Sequence, residues 1–208
     1  MERALRCICM GPRAVQLVLA GRKTEERRAL AFKTINTGVG SDTSKWKLIW
    51  MGQEGECVSV ELDRGKEAKV FRCRFGAAGN VLTVMEAWFK DGSDYYFKES
   101  EEDNRFAWGA PITMPRDVAR ATIVLEGVWC QRLSDMTEGS AMAEGVEPKV
   151  GADGYPENAS HPLIPDGEEN RGRQYLAAYF SQWDRTGHGC PSTVNPWAWA
   201  LRFSLHKP

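Results

Sequence analysis

The sequence predicts an α+β domain in which short strands outnumber helices. Three observations carry that reading. Apolar and polar residues alternate over many short stretches set apart by Gly-rich or charged turns, and only three stretches have helical character. The last run, Trp197, Trp199, Leu201, Phe203 and Leu205, marks a half-buried strand that would close a small barrel. With 208 residues, 42% hydrophobic and including eight Trp, the chain can bury a sizeable core and is short enough to form one domain, 1–208.

Taken in order, Leu5 to Met10 reads as a strand leading into a short helix. Pro12 suits a first helical position, Val15, Val18 and Leu19 give one apolar face, and Gly21 can end the helix with a positive φ. The charged run Gly21 to Arg28 follows. If it is extended, Glu26, Arg28 and Leu30 share one side, Glu25, Arg27 and Ala29 share the other, and Lys23 leans from the bend toward the first set. Such runs are commonly solvated faces. Residues 36–45, rich in Gly, Ser, Asn and Thr, form a loop able to cover that segment.

Trp46–Met51, Cys57–Leu62 and Ala68–Phe75 read as a three-stranded meander, an insertion at 46–75. Gly76 to Gly79 is a tight turn, Val81 to Phe89 a central strand carrying Glu86 and Trp88 at its end, and Asp94 to Lys98 another strand, followed by an acidic loop at 99–104. Pro111 to Arg120 is extended and kinked. Its Arg116 and Arg120 serve either in surface ion pairs or as guanidinium clamps for a phosphate or carboxylate. Ala121 to Leu133 is a strong strand with Ile123, Leu125 and Trp129 in the core. Ser134, with Glu138, caps a helix over Asp135–Gly145, whose end carries Glu144 against the helix dipole. Residues 146–172 form an irregular excursion, and Arg173 to Asp184 an amphipathic helix burying Tyr175, Leu176, Tyr179, Phe180 and Trp183.

The net charge of −1 gives no overall pull toward nucleic acid, so any such binding must come from a local patch. No apolar run has the length of a signal peptide or a membrane span, so a cytoplasmic protein without membrane partners is expected. The six Cys lack C-x-x-C spacing and read as thiols; His161, His188 and His206 are far apart. No metal site and no cofactor are expected.

Gly21, Lys23, Glu26 and Arg28 match the G-x-K-x-x-E-x-R signature of the ASCH domains, a branch of the PUA-like β-barrels. Further segments resemble a group of ASCH-like proteins common in phages and prophages: Phe75–Leu82 running to Glu86-Ala87-Trp88, Met114-Pro115-Arg116 with Arg120, Ala141–Gly145, and Asn195-Pro196-Trp197-Ala198-Trp199. Their order matches too, and the resemblance spans about residues 11–205. It implies a PUA-like small mixed β-barrel with a cleft at one side, in the host cytoplasm if the chain is phage-encoded.

Some members are similar to acetylcytidine amidohydrolases that use a Lys, a Thr and a Glu; others look like ribonucleases or RNA-binding modules. Carried over, the Lys is Lys23 and the Glu is Glu144, while the Thr position falls on Glu26. Asn80 and Met85 stand where the group usually has Asp and Arg. The expected partner is a nucleotide, a modified nucleoside or single-stranded nucleic acid. On the binding reading Lys23, Arg28, Arg116 and Arg120 meet phosphate, Trp88 stacks, and Glu86 lies alongside. On the hydrolase reading Lys23, with its pKa lowered, Glu26 and Glu144 do the chemistry. A third reading is a phage accessory protein whose many Trp form protein contacts.

Overall fold

The computed structural model describes residues 6–30, 47–52, 57–61, 69–148, 150, 161–164, 173–186 and 190–206, with the backbone only for 47–51, 57–61 and 69–71. The loop expected at 36–45 and most of the excursion at 146–172 lie outside these residues. The elements run β1 (Arg6–Cys9), α1 (Pro12–Leu19), β2 (Glu25–Ala29), β3 (Lys47–Met51), β4 (Cys57–Glu61), β5 (Lys69–Arg72), β6 (Val81–Met85), β7 (Trp88–Asp91), β8 (Asp94–Phe97), β9 (Thr122–Arg132), α2 (Glu138–Ala143), α3 (Gln174–Thr186) and β10 (Trp197–Leu205). The fold is α+β.

The main sheet has five strands in the order β1-β6-β9-β10-β2, with β1 and β6 parallel and the other pairs antiparallel. Among the described residues no backbone pairing joins its edges, so the barrel expected from the sequence is not closed by hydrogen bonds. The edges nevertheless meet through a side chain: Arg28 Nη2 on β2 donates to the Cys9 carbonyl on β1 at 2.6 Å. The meander β3-β4-β5 forms a sheet of its own, and β7-β8 is a separate hairpin. The strand expected over Val81 to Phe89 therefore breaks at Glu86-Ala87, where the chain leaves the sheet.

Two apolar clusters hold the sheet. Ile8, Val15, Val18, Leu82, Val84, Ile123, Leu125, Val128, Trp199, Leu201 and Phe203 make the larger one, with α1 against it. Leu133, Ala141, Leu176, Tyr179, Phe180, Trp183 and Ala198 make the second, under α2 and α3. β10 serves both. Its odd-numbered aromatic and aliphatic residues enter the larger core, while Ala198 and Ala200, both fully buried, are small enough for cover on the other face.

Three sequence expectations change, and the reading of the cysteines as thiols stands for the five described. Trp129 is outside the larger core, because an irregularity between Arg202 and Phe203 leaves Glu126 without a partner and shifts the inward phase of β9 to Val128 and Cys130. Leu19 is exposed and Leu17 buried, since the end of α2 packs on that side of α1. The cap of α2 is Thr137, whose Oγ1 accepts from Ser140 N, not Ser134, which lies in a 3-10 turn; Glu138 instead accepts from the backbone N–H groups of Tyr175 and Leu176 at the start of α3. The thiols divide, with Cys73 and Cys130 buried and Cys7, Cys9 and Cys190 half-buried.

Gly145 ends α2 at φ +79°, and a Cβ there would come within 2.8 Å of Leu17 Cδ1. Gly92 has φ +57° but open space around it. A left-handed conformation costs an alanine about 1–2 kcal/mol, and forced overpacking about 1–3 more. Gly145→Ala should therefore destabilise clearly more than Gly92→Ala, read as the difference in urea midpoints. Equal losses would contradict the tight α1–α2 contact.

Candidate functional site

The site is built where α1 turns into β2. Arg22 N and Lys23 N both donate to the Leu17 carbonyl, which fixes the turn after Gly21. Thr24 N then donates to the Ala143 carbonyl at 2.8 Å, and Phe203 N donates to the Thr24 carbonyl at 2.9 Å, so one residue ties the end of α2 to β10. Lys23 and Glu144 are thereby adjacent although 121 residues separate them.

The Lys23 ammonium is buried and all three of its donors are used. Nζ meets Glu144 Oε2 at 2.5 Å, the Glu144 carbonyl at 2.9 Å and Glu26 Oε2 at 2.8 Å. From Glu144 the ion pairs continue to Arg27 (Oε1 to Nη1, 3.1 Å), to Glu25 (Arg27 Nη2 to Oε2, 2.9 Å) and to Arg202 on β10 (2.9 Å to Glu25 Oε1). On the other side Glu26 Oε1 meets Arg28 Nε at 2.7 Å. Seven groups of alternating sign, Arg202, Glu25, Arg27, Glu144, Lys23, Glu26 and Arg28, thus form one connected chain.

Burial lowers the proton affinity of the Lys23 amine, but the carboxylates of Glu144 and Glu26 outweigh it and hold the group above its ordinary value. Burial raises the Glu144 carboxyl, and Glu26 adds to this, while Lys23 and Arg27 oppose it. The two shifts agree physically: the cluster holds its protons tightly, with the lysine charged and Glu144 easier to protonate than a surface carboxylate. Tyr179, fully buried beside this group, is pushed well above an ordinary phenol, first by burial and then by Glu144. The lowered Lys23 pKa expected on the hydrolase reading is corrected by these contacts, because Glu26 sits at 2.8 Å even though Arg28 also pairs with it.

Lys23, Glu26, Arg28 and Glu144 line one cleft of about 1280 Å³, which has Met10, Leu17, Leu30, Phe75 and Trp199 among its apolar walls. Glu25 and Arg27 are the parts that sequence reasoning missed. The pleat does put Arg27 opposite Arg28, yet its Nη1 meets Glu144 Oε1 at 3.1 Å, a contact that strand alternation does not foretell. The doubled signs in Glu25-Glu26-Arg27-Arg28, which charge both faces of one strand, were the available signal.

Glu86, Trp88, Arg116 and Arg120 line no part of this cleft. Glu86 is fully buried and receives Arg120 in a bidentate pair, Nε to Oε1 at 2.9 Å and Nη2 to Oε2 at 2.5 Å, and the same guanidinium lies 4.8 Å over the Phe97 ring. Trp88 Nε1 donates to Thr113 Oγ1 at 3.2 Å, and its ring stacks near Tyr95. Arg116 starts an exposed 3-10 turn. The four residues expected to bind ligand beside Lys23 therefore lie outside this cleft.

A cluster not singled out from the sequence joins His161, Ser192 and Asp184. Leu163 N donates to His161 Nδ1, so Nε2 carries the proton toward Ser192 Oγ at 2.8 Å, and that hydroxyl donates to Asp184 Oδ2 at 2.8 Å. The serine proton points to the carboxylate instead of to an imidazole base, and Ser192 is fully buried, so this trio ties the segment before β10 to α3 and is not a nucleophile with its base. Among the described residues no group of His, Cys, Asp or Glu is placed to hold a metal ion, and no helix is long and apolar enough to cross a membrane.

Lys23→Met removes the cation between two buried carboxylates and should cost about 3–5 kcal/mol at pH 7. The sign of its pH dependence follows from Glu144. A carboxyl raised in the folded state contributes stability that is full below the unfolded value near 4.3 and is lost as pH rises through the folded one. Without the lysine that folded value rises further, so the variant's deficit should be smaller at pH 5 than at pH 7 in urea unfolding. A deficit that does not change with pH would contradict the cluster.

No family model, no curated protein and no solved structure matches the chain.

Proposed function

We propose that this chain is an ASCH-type protein of the PUA-like barrel class that binds a nucleotide, a modified nucleoside or an unpaired nucleic-acid base in the cleft lined by Lys23, Glu26, Arg28 and Glu144. The single observation behind this reading is that these four side chains, from two distant stretches, meet in one cleft large enough for a nucleotide-sized ligand. The barrel class is supported by the Arg28 to Cys9 contact that brings the two edges of the main sheet together. The cleft sets the half-buried Arg28 and further arginines beside apolar walls, held in place by the buried ion pairs, a combination suited to the polar edge and the faces of a base.

The hydrolase reading is second, and one observation favours it: Glu144 is a buried carboxyl with raised proton affinity, suited to general acid–base work. Lys23, held protonated, would then steady developing negative charge instead of acting as base or nucleophile. The accessory-protein reading has less behind it, because Trp183 and Trp199 are buried and no Trp is among the exposed large hydrophobic residues described.

Binding should be measured for a panel of nucleosides, modified nucleosides and short single strands by calorimetry, with hydrolysis followed in parallel. Arg28→Ala, at a half-buried position, is expected to weaken binding by about 1–3 kcal/mol. If wild type also turns a ligand over, Glu144→Gln should lower the rate about 100-fold or more. Absence of binding across the whole panel, with the protein folded, would overturn the proposal.

A further inference from the structure

The charges around the cleft are not balanced. Seven Lys or Arg and four Glu side chains line it, a surplus of three positive charges in a chain whose net charge is −1. All four carboxylates are engaged. Glu26 and Glu144 hold Lys23, Arg27 and Arg28; Glu147 meets Arg13 and Arg22; and the Glu101 carboxylate lies against Gly11, with Lys98 at 3.9 Å. Arg72, Arg74 and Arg185 meet no carboxylate among the described residues.

These three come from two sides of the cleft. Arg72, the last residue of β5, and Arg74, in the turn that follows, flank the buried Cys73; both are exposed and both line the cleft. Arg74 lies 4.7 Å over the Phe75 ring, which fixes its plane. Arg28 and Arg74 both oppose the upward push of burial on the Cys9 thiol. Arg185, in the last turn of α3, donates Nε to the Ser181 carbonyl at 3.4 Å and complements the helix dipole while its terminal nitrogens stay exposed. Guanidinium forks that line one cleft without carboxylate partners among the described residues favour a dianionic, multi-oxygen group.

We propose that Arg72, Arg74 and Arg185 form a phosphate subsite at the rim of the cleft, so that its ligand is a phosphate ester of a nucleoside and not a free nucleoside. This rests on the cleft being the nucleotide or base site of the preceding section. The sequence reading assigns phosphate to Lys23, Arg28, Arg116 and Arg120; Lys23 is fully occupied by carboxylates and a carbonyl, Arg116 and Arg120 lie outside the cleft, and the arginines at 72, 74 and 185 join Arg28 at its wall.

The test uses the full chain and calorimetric titration with the four common ribonucleosides, their 5′-monophosphates and single-stranded tetranucleotides, at 50 and 300 mM salt. In wild type the best monophosphate should bind at least about 10-fold tighter than its nucleoside at low salt, as expected for one charge-assisted anion contact, and the advantage should shrink at high salt. In the Arg72→Ala/Arg74→Ala/Arg185→Ala variant, shown folded by circular dichroism, the advantage should disappear. Should that variant not fold, Arg185→Ala alone should reduce the advantage at least about 3-fold. A tetranucleotide that binds tighter than the monophosphate makes a strand the source of the phosphate, and equal affinity makes it a mononucleotide; both support the subsite. Equal affinity for nucleoside and monophosphate in wild type, or an advantage that survives the substitutions, overturns the subsite and leaves the cleft reading standing. Failure of every ligand to bind overturns the cleft reading itself.

Discussion

The buried ammonium of Lys23 is the contact on which the architecture of the site depends. Its three donors meet the Glu144 carboxylate, the Glu144 carbonyl and Glu26, which joins the α1–β2 turn to the end of α2 in one position. Local features converge to allow this. Gly21 turns the chain out of α1, Thr24 N bonds the Ala143 carbonyl, and Gly145 leaves α2 with a left-handed φ that keeps Leu17 in contact. Taking charges of this size out of water costs several kcal/mol per ion, repaid only where geometry and extra hydrogen bonds are good.

The same charges lie at the seam of the main sheet. β1 and β2 are its two edges, and where backbone pairing between them is lacking, Arg28 crosses to the Cys9 carbonyl. A seam made of side chains leaves room between the edges, and the cleft lies beside it. On the far face Arg27 and Glu25 carry the alternation to Arg202, which also stacks over Trp129. The charged side chains beside the cleft therefore have their positions set from both faces of β2.

Much of this was legible in the residues. Pro12 and Gly21 bracket α1, the alternation from Trp197 to Leu205 is β10, and the meander appears at Lys47–Met51, Cys57–Glu61 and Lys69–Arg72. The meeting of Lys23 with Glu144 could be expected from the motif residues and the unfavourable place of a carboxylate at a helix end. Other features depend on tertiary context that periodicity does not carry. An irregularity in the β9–β10 pairing moves Trp129 out of the core. Arg27 meets Glu144 although strand alternation puts it opposite Arg28. Glu86 and Arg120 satisfy each other in the ordinary way of a buried carboxylate and a nearby arginine, although the motif marks them out. The proton affinity of Lys23 turned on whether Glu144 and Glu26 outweigh its burial, and only distances decide that.

The central claim, a lysine kept charged by two carboxylates in the lining of the proposed binding cleft, is tested most directly by the nitrogen resonance of the Lys23 side chain, followed by NMR from pH 6 to 11. The account predicts an ammonium signal that persists beyond the ordinary lysine value near 10.4 and shifts when a bound nucleotide is added. A signal that titrates below that value, or one that ignores every ligand bound by the protein, would contradict it.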